Sequence, residues 1–145
     1  MGYNSSMFDS IINIRNLTFP EGSLDIEGEN NWKACFKWKR TLSVAEAELL
    51  RKTSYMPTDY IDFLKTVSDG ALLYYEQEFG QWGFELFDHK EFALKQRFWR
   101  ENLVLPNTTR YMAFCELYAE NNVLVIDTND KNQCILEANC YFEPI

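Results

Sequence analysis

Met56-Pro57-Thr58-Asp59-Tyr60-Ile61-Asp62-Phe63-Leu64-Lys65-Thr66-Val67-Ser68-Asp69-Gly70-Ala71 is the stretch whose reading decides the fold. Pro57 is placed to open a helix, because its fixed φ suits the first turn and its missing N–H is not needed there. Tyr60, Phe63, Leu64 and Val67 then fall at i, i+3, i+4 and i+7, along one helical face. Gly70 supplies the stop, and Leu72 to Tyr75 continues as a strand. Burying those four side chains contributes roughly 1.5–3 kcal/mol each before chain entropy is set against it, so this helix is the expected anchor of the core.

Upstream, Ser43 with Glu46 fits a capping box, and Val44, Ala47 and Leu50 recur at helical spacing to about Thr53. Ahead of it, Trp32, Ala34, Phe36 and Trp38 alternate with Lys33, Cys35, Lys37 and Lys39, the period of a half-buried strand with one aromatic and one basic face. Residues 1–31 read as an N-terminal strand and loop extension, loosest from Pro20 to Asn31. Downstream, Trp82 to Phe87 is a strand, joined to the previous one by the acidic turn Glu76-Gln77-Glu78 and Gly80. Asp88 and Glu91 can cap a helix running to about Arg100. Met112 to Leu117, Val123 to Asp127 and Gln133 to Glu137 then form an antiparallel meander. About three helices with a mainly antiparallel or mixed sheet make an α+β single domain over residues 1–145.

Composition bounds the rest. The AVILMFWYC set makes up 46% and charged residues 25%, which excludes disorder and collagen. With 11 Phe, 8 Tyr and 4 Trp, the chain can fill a core without staples. The formal net charge is −8, and all of the excess lies beyond residue 55, since the first 55 residues balance. Such a field repels nucleic acid and anionic lipid and draws in a basic partner, though it also serves plain solubility.

Catalytic and metal chemistries find little support. His89 stands alone, so two-histidine metal sites are excluded, and it sits at a helix cap with nothing to link it to Cys115 or Cys134 as a base. Cys35, Cys115, Cys134 and Cys140 form no C-x-x-C pair and follow no signal peptide, so they read as inert free thiols of a cytoplasmic protein. The glycosylation-like triplets at Asn4, Asn16 and Asn107 and the Met1-Gly2 myristoylation pattern are discounted as short matches. No apolar run is long enough for a membrane span. Glu76 with Glu78, and Glu85 with Asp88, read as solvated turn carboxylates. The loop starting at Asp127 lacks the glycine and bidentate glutamate of an EF-hand, and the glycines never reach phosphate-loop spacing. Trp32 to Arg40 interleaves rings with lysines as a single-strand nucleic-acid platform does. Strict alternation sends the two to opposite faces, so lysines guarding a sheet edge are the better reading.

Taken in order, the motifs carry a resemblance. The Met56-to-Leu64 run with Val67-Ser68-Asp69-Gly70-Ala71, the Gly80-Gln81-Trp82-Gly83-Phe84-Glu85-Leu86-Phe87 strand and the pair Met112-Ala113-Phe114-Cys115-Glu116 and Val123-Leu124-Val125-Ile126-Asp127 resemble the SUKH superfamily. That superfamily includes fungal cell-wall-assembly regulators and bacterial immunity proteins. The resemblance spans about residues 32 to 143 and assigns motif positions to Pro57, Tyr60, Phe63, Leu64, Gly70, Trp82, Gly83, Phe114 and Asp127. The sequence departs from the pattern at Ala119-Glu120-Asn121-Asn122, where glycine is usual, and the usual C-terminal helix is missing before Ile145. The resemblance implies binding without catalysis, metal or cofactor: an immunity protein that neutralises a cognate, basic, intracellular toxin, often a nuclease. Contact is expected around Asp69, Glu76, Glu78, Trp82 and Glu85, and again at Asp127 and Asp130. Trp82 has a competing reading as a core ring, which its strand position favours. The alternative function is a regulatory scaffold of the cell-wall-assembly type.

Overall fold

The structure is a computed structural model that describes residues 5–26, 32–77, 82–101, 110–118, 122–130 and 135–138. The expected helix anchor is present: α3 runs Thr58–Thr66, with Pro57 at its N-cap and Tyr60, Ile61 and Leu64 buried. The Pro57 carbonyl accepts from the N–H groups of Tyr60 and Ile61. Gly70 adopts φ +83°, and a Cβ there would meet the Asp88 backbone at 3.0 Å, so conformation and space both demand glycine.

Two further helices follow the sequence reading. The helix α2, Val44–Thr53, carries the full capping box, with Ser43 accepting from the Glu46 N–H and Glu46 accepting from the Ser43 N–H. The helix α4, Phe92–Glu101, is preceded by a turn in which Asp88 accepts from the N–H groups of Lys90 and Glu91. The N-terminal extension differs from expectation. A short 3-10 turn, Ser5–Phe8, leads into a helix, α1, over Asp9–Thr18, so the α-helices number four among the described residues. Its isoleucines have weak helix propensity. Packing overrides that: Phe8, Ile11, Ile12 and Ile14 rest on Ala34, Phe36, Trp38, Val67, Ala71 and Leu73. The indole N–H of Trp38 donates to Thr18 Oγ1 at 2.8 Å and fastens the helix to the sheet.

The sheet has seven strands in chain order, every pair antiparallel: β1 Glu21–Asp25, β2 Lys33–Trp38, β3 Ala71–Tyr75, β4 Phe84–Leu86, β5 Tyr111–Leu117, β6 Val123–Asp127 and β7 Ile135–Ala138. The pair α2–α3 is inserted between β2 and β3, and α4 between β4 and β5. Because β1 pairs with β2 from Lys33 to Lys37, the lysines of β2 guard no edge; they stand on the face of an interior strand.

Besides a register shift between Ala113 and Cys115 of β5 against β6, two irregularities shape the sheet. Between Cys35 and Lys37 the partner strand advances from Tyr75 to Leu72, one residue extra, and Tyr74 takes φ +51° in that bulge. At β5, the three residues of β4 leave Ala113 without a strand on that side. The buried side chain of Gln96 takes the missing place: Ala113 N–H donates to Oε1 at 2.8 Å, and Nε2 donates to the Ala113 carbonyl. A second core cluster joins Ala47, Tyr60, Ile61, Leu64, Phe92 and Trp99 of the helices to β5 and β6. Tyr60 ties it together, its hydroxyl donating to the Phe87 carbonyl, and burial pushes its phenol well above the ordinary range.

Candidate protein-binding site

The side chains singled out in the sequence separate into three places. Asp69, 6% exposed, is committed inside the fold. Its Oδ1 accepts from the His89 backbone N–H at 2.9 Å and its Oδ2 lies 2.6 Å from His89 Nδ1, while its own N–H donates to the Arg40 carbonyl. His89 Nε2 lies 3.7 Å from Glu46, which Arg40 grips with both terminal nitrogens. These bonds hold Glu46 well below the usual carboxylate range, the Arg40 pairing first and the Ser43 N–H second. One imidazole thus pins the α3–β3 corner to the α4 turn and to α2, a link that spacing in sequence could not reveal.

Asp127 is likewise engaged. Arg110 clamps it, Nε to Oδ1 at 3.0 Å and a terminal nitrogen to Oδ2 at 3.1 Å, and the clamp lowers its pKa. Asn129 N–H also donates to it, and the Asp130 N–H donates to its carbonyl, so this carboxylate organises the turn after β6. Glu78 lies outside the described residues.

The third place is the β3–β4 hairpin, which brings Glu76 and Trp82 together, while Glu85 stands on the opposite face of the sheet. Glu76 N–H donates to the Trp82 carbonyl, closing the hairpin. Trp82 is not a core ring: it is 37% exposed and meets Trp32, 36% exposed, edge to face at 5.0 Å. Tyr74, 38% exposed at its bulge, packs edge-on against Phe36 at 4.9 Å. Trp32 and Phe36 share a face by alternation, so three half-open rings stand at one end of it. Gly83 follows, with φ +144°, and a Cβ there would meet Tyr75 at 2.8 Å and the Tyr118 ring at 3.2 Å. Its absent side chain lets those two tyrosines close over the strand.

Glu85 and Asp88 are not solvated turn carboxylates. Asp88 organises the turn ahead of α4 and pairs with Lys39 at 3.3 Å. Burial works against its charge, yet the Glu91 N–H and Lys39 hold its pKa below the ordinary value. Glu85 lies within the sheet, where burial raises its pKa. It belongs to one ladder row, Glu21–Lys37–Leu72–Glu85–Glu116–Val123, whose side chains share the opposite face from Phe36. On that face lies a groove of about 210 Å³ lined by Lys37, Lys39, Leu72, Glu85 and Tyr118. Beyond it, Lys95 and the Trp99 indole of α4 both bond Glu116, at 2.8 and 3.1 Å.

Cys35 and Cys115 are free and buried, and burial pushes the Cys115 thiol up to about 12, far from a nucleophile's range. Among the described residues no group of three His, Cys, Asp or Glu side chains is placed to hold a metal ion, and no helix is long and apolar enough to cross a membrane. The fold and this surface define an α+β domain built on a meandering antiparallel sheet. No protein-family model, curated protein or solved structure matches the chain.

Proposed function

We propose that this is a non-catalytic binding domain of the cytoplasm that neutralises a cognate, basic toxin by direct contact, as the resemblance to SUKH immunity proteins implies. The observation that carries the reading is the exposed Trp32–Trp82 pair with Tyr74 beside the acidic hairpin. Exposed Trp and Tyr rings are residues that interface hot spots favour, and they lose little conformational entropy when covered. The −8 charge supports it as well, because toxins that grip phosphates are basic and would be steered to this surface. Asp69 and Asp127, both held inside the fold, act in this reading by shaping the surface and not by touching the partner.

The test is capture of partners from the native source by the whole chain, at low and high salt, with Trp82→Ala alongside. One basic protein held at about 1:1, released by salt and lost with W82A, is the expected result. Several unrelated partners would favour the scaffold reading, for which α4 offers a second apolar stripe in Leu94 and Phe98, 62% and 52% exposed.

A further inference from the structure

Two indoles stand half-open at the end of β2, 36% and 37% exposed at Trp32 and Trp82, with centroids 5.0 Å apart and planes at 75°. Planes so inclined form two walls of a corner, and a group set into it meets an indole face on one side and a second ring on the other. Elsewhere the fold lays its own cations on rings: Arg15 over Phe19 at 4.4 Å, Lys95 over Phe87 at 5.4 Å and Arg110 over Tyr111 at 4.9 Å. Among the described residues no cation lies over either of these two indoles, although tryptophan is the ring that draws one most strongly.

The register explains why. Cys35 faces Tyr75 and Gly83 lies against Tyr75, so the next row across the strands runs Ala34, Glu76, Trp82. By alternation that row shares the face of Trp32, and it sets a carboxylate beside Trp82. Lys33 and Lys37, the nearest lysines in the chain, alternate to the opposite face, where they stand across from Asp25 and Glu21. Residues 66–88 contain no lysine or arginine and carry Glu76 and Glu78 in the hairpin. Arg15 sits at the other end of β2, where its helix is fastened to Trp38 through Thr18. The negative indole faces and the Glu76 carboxylate therefore act in the same sense, and no lysine or arginine of β2, β3 or β4 stands on their face. An apolar side chain would cover the rings and gain nothing from the carboxylate. A guanidinium gains from both, and its flat plane matches an indole face.

We propose that the Trp32–Trp82 corner receives one arginine side chain of a partner protein, its guanidinium stacked on an indole face on the Glu76 side of the hairpin. The proposal rests on the basic-partner reading above and names the side chain that the exposed pair takes.

The experiment titrates the isotope-labelled whole chain with the peptide acetyl-Gly-Arg-Gly amide, and separately with its neutral isostere in which citrulline replaces arginine, following the indole N–H signals by NMR. Saturable shifts at Trp32 and Trp82, at least about threefold tighter for the arginine peptide, are the expected result. Trp82→Leu keeps apolar bulk without a π face, and it should abolish that preference; Trp32→Leu should do the same, and the spectrum of each variant reports whether it is folded. Equal affinity for the two peptides, shifts confined to other residues, or an unchanged preference in both folded variants would overturn the corner. Partner capture separates the two readings. A basic protein lost with W82A but held by W82L and W32L as well as by wild type overturns the arginine contact and leaves the partner. A corner that prefers the arginine peptide while wild type captures no basic protein supports the corner and overturns the partner reading.

Discussion

A single absent methyl group matters at Gly83. Its φ of +144° and the 2.8 Å approach of a would-be Cβ to Tyr75 make alanine strained on two counts. Gly83→Ala is therefore expected to lose about 1–3 kcal/mol in urea unfolding, and to move Tyr75 and Tyr118 in the NMR spectrum. Glu85 acts in the other direction. Burial raises its pKa in the folded state, so the fold favours its protonated form, and that stability is present below the unfolded value of about 4.5 and lost as pH rises through the folded one. Glu85→Gln should accordingly raise the melting temperature at pH 7 and have little effect at pH 3. A Tm unchanged at neutral pH would contradict a net cost of ionising Glu85 within the sheet.

At the scale of elements, Gln96 behaves as a fragment of strand. Its amide satisfies both backbone groups of Ala113 where β4 has ended, so Gln96→Leu would orphan a buried N–H and C=O at about 1–3 kcal/mol each. Hydrogen exchange at the Ala113 amide should accelerate more than at Val125 across the ladder. The same helix shows what could and could not be read along the chain. The turn that leads into it is legible in Asp88 and Glu91 and its length in the pattern to Arg100, because turn bonds and periodicity are local. The role of Gln96 depends on where β4 stops, which only the three-dimensional register decides. The helix α1 hid for a related reason, since Ile11, Ile12 and Ile14 favour strands locally and become helical through the surface they cover. Glu76 and Trp82 were legible as neighbours because a hairpin joins them. The burial of Asp69 is not legible in the sequence, because its partner, His89, lies 20 residues on.

For the whole molecule, three carboxylates link stability to acidity. Asp127 is held low by Arg110, Asp88 by the Glu91 N–H and Lys39 against its burial, and Glu46 by Arg40 and Ser43. Groups with depressed folded values contribute stability above their unfolded values, about 3.8 for aspartate and 4.5 for glutamate, and lose it as pH falls through the folded ones. Urea midpoints should therefore hold from pH 7 to about 5 and fall steeply below 4. An Asp127→Asn chain should start lower at pH 7 and show a shallower fall.

The order of the strands across the sheet repeats their order along the chain. A polypeptide leaving the ribosome amino end first can therefore zip each ladder as its next strand emerges, with no strand waiting for a distant partner and few unpaired edges on display at any moment. Among the described residues, the α2–α3 and α4 insertions are what delays a closure. On a ribosome, nascent-chain force measurements would then rise in successive steps as β2, β3 and β5 clear the tunnel, with the longest pauses while those helices are made.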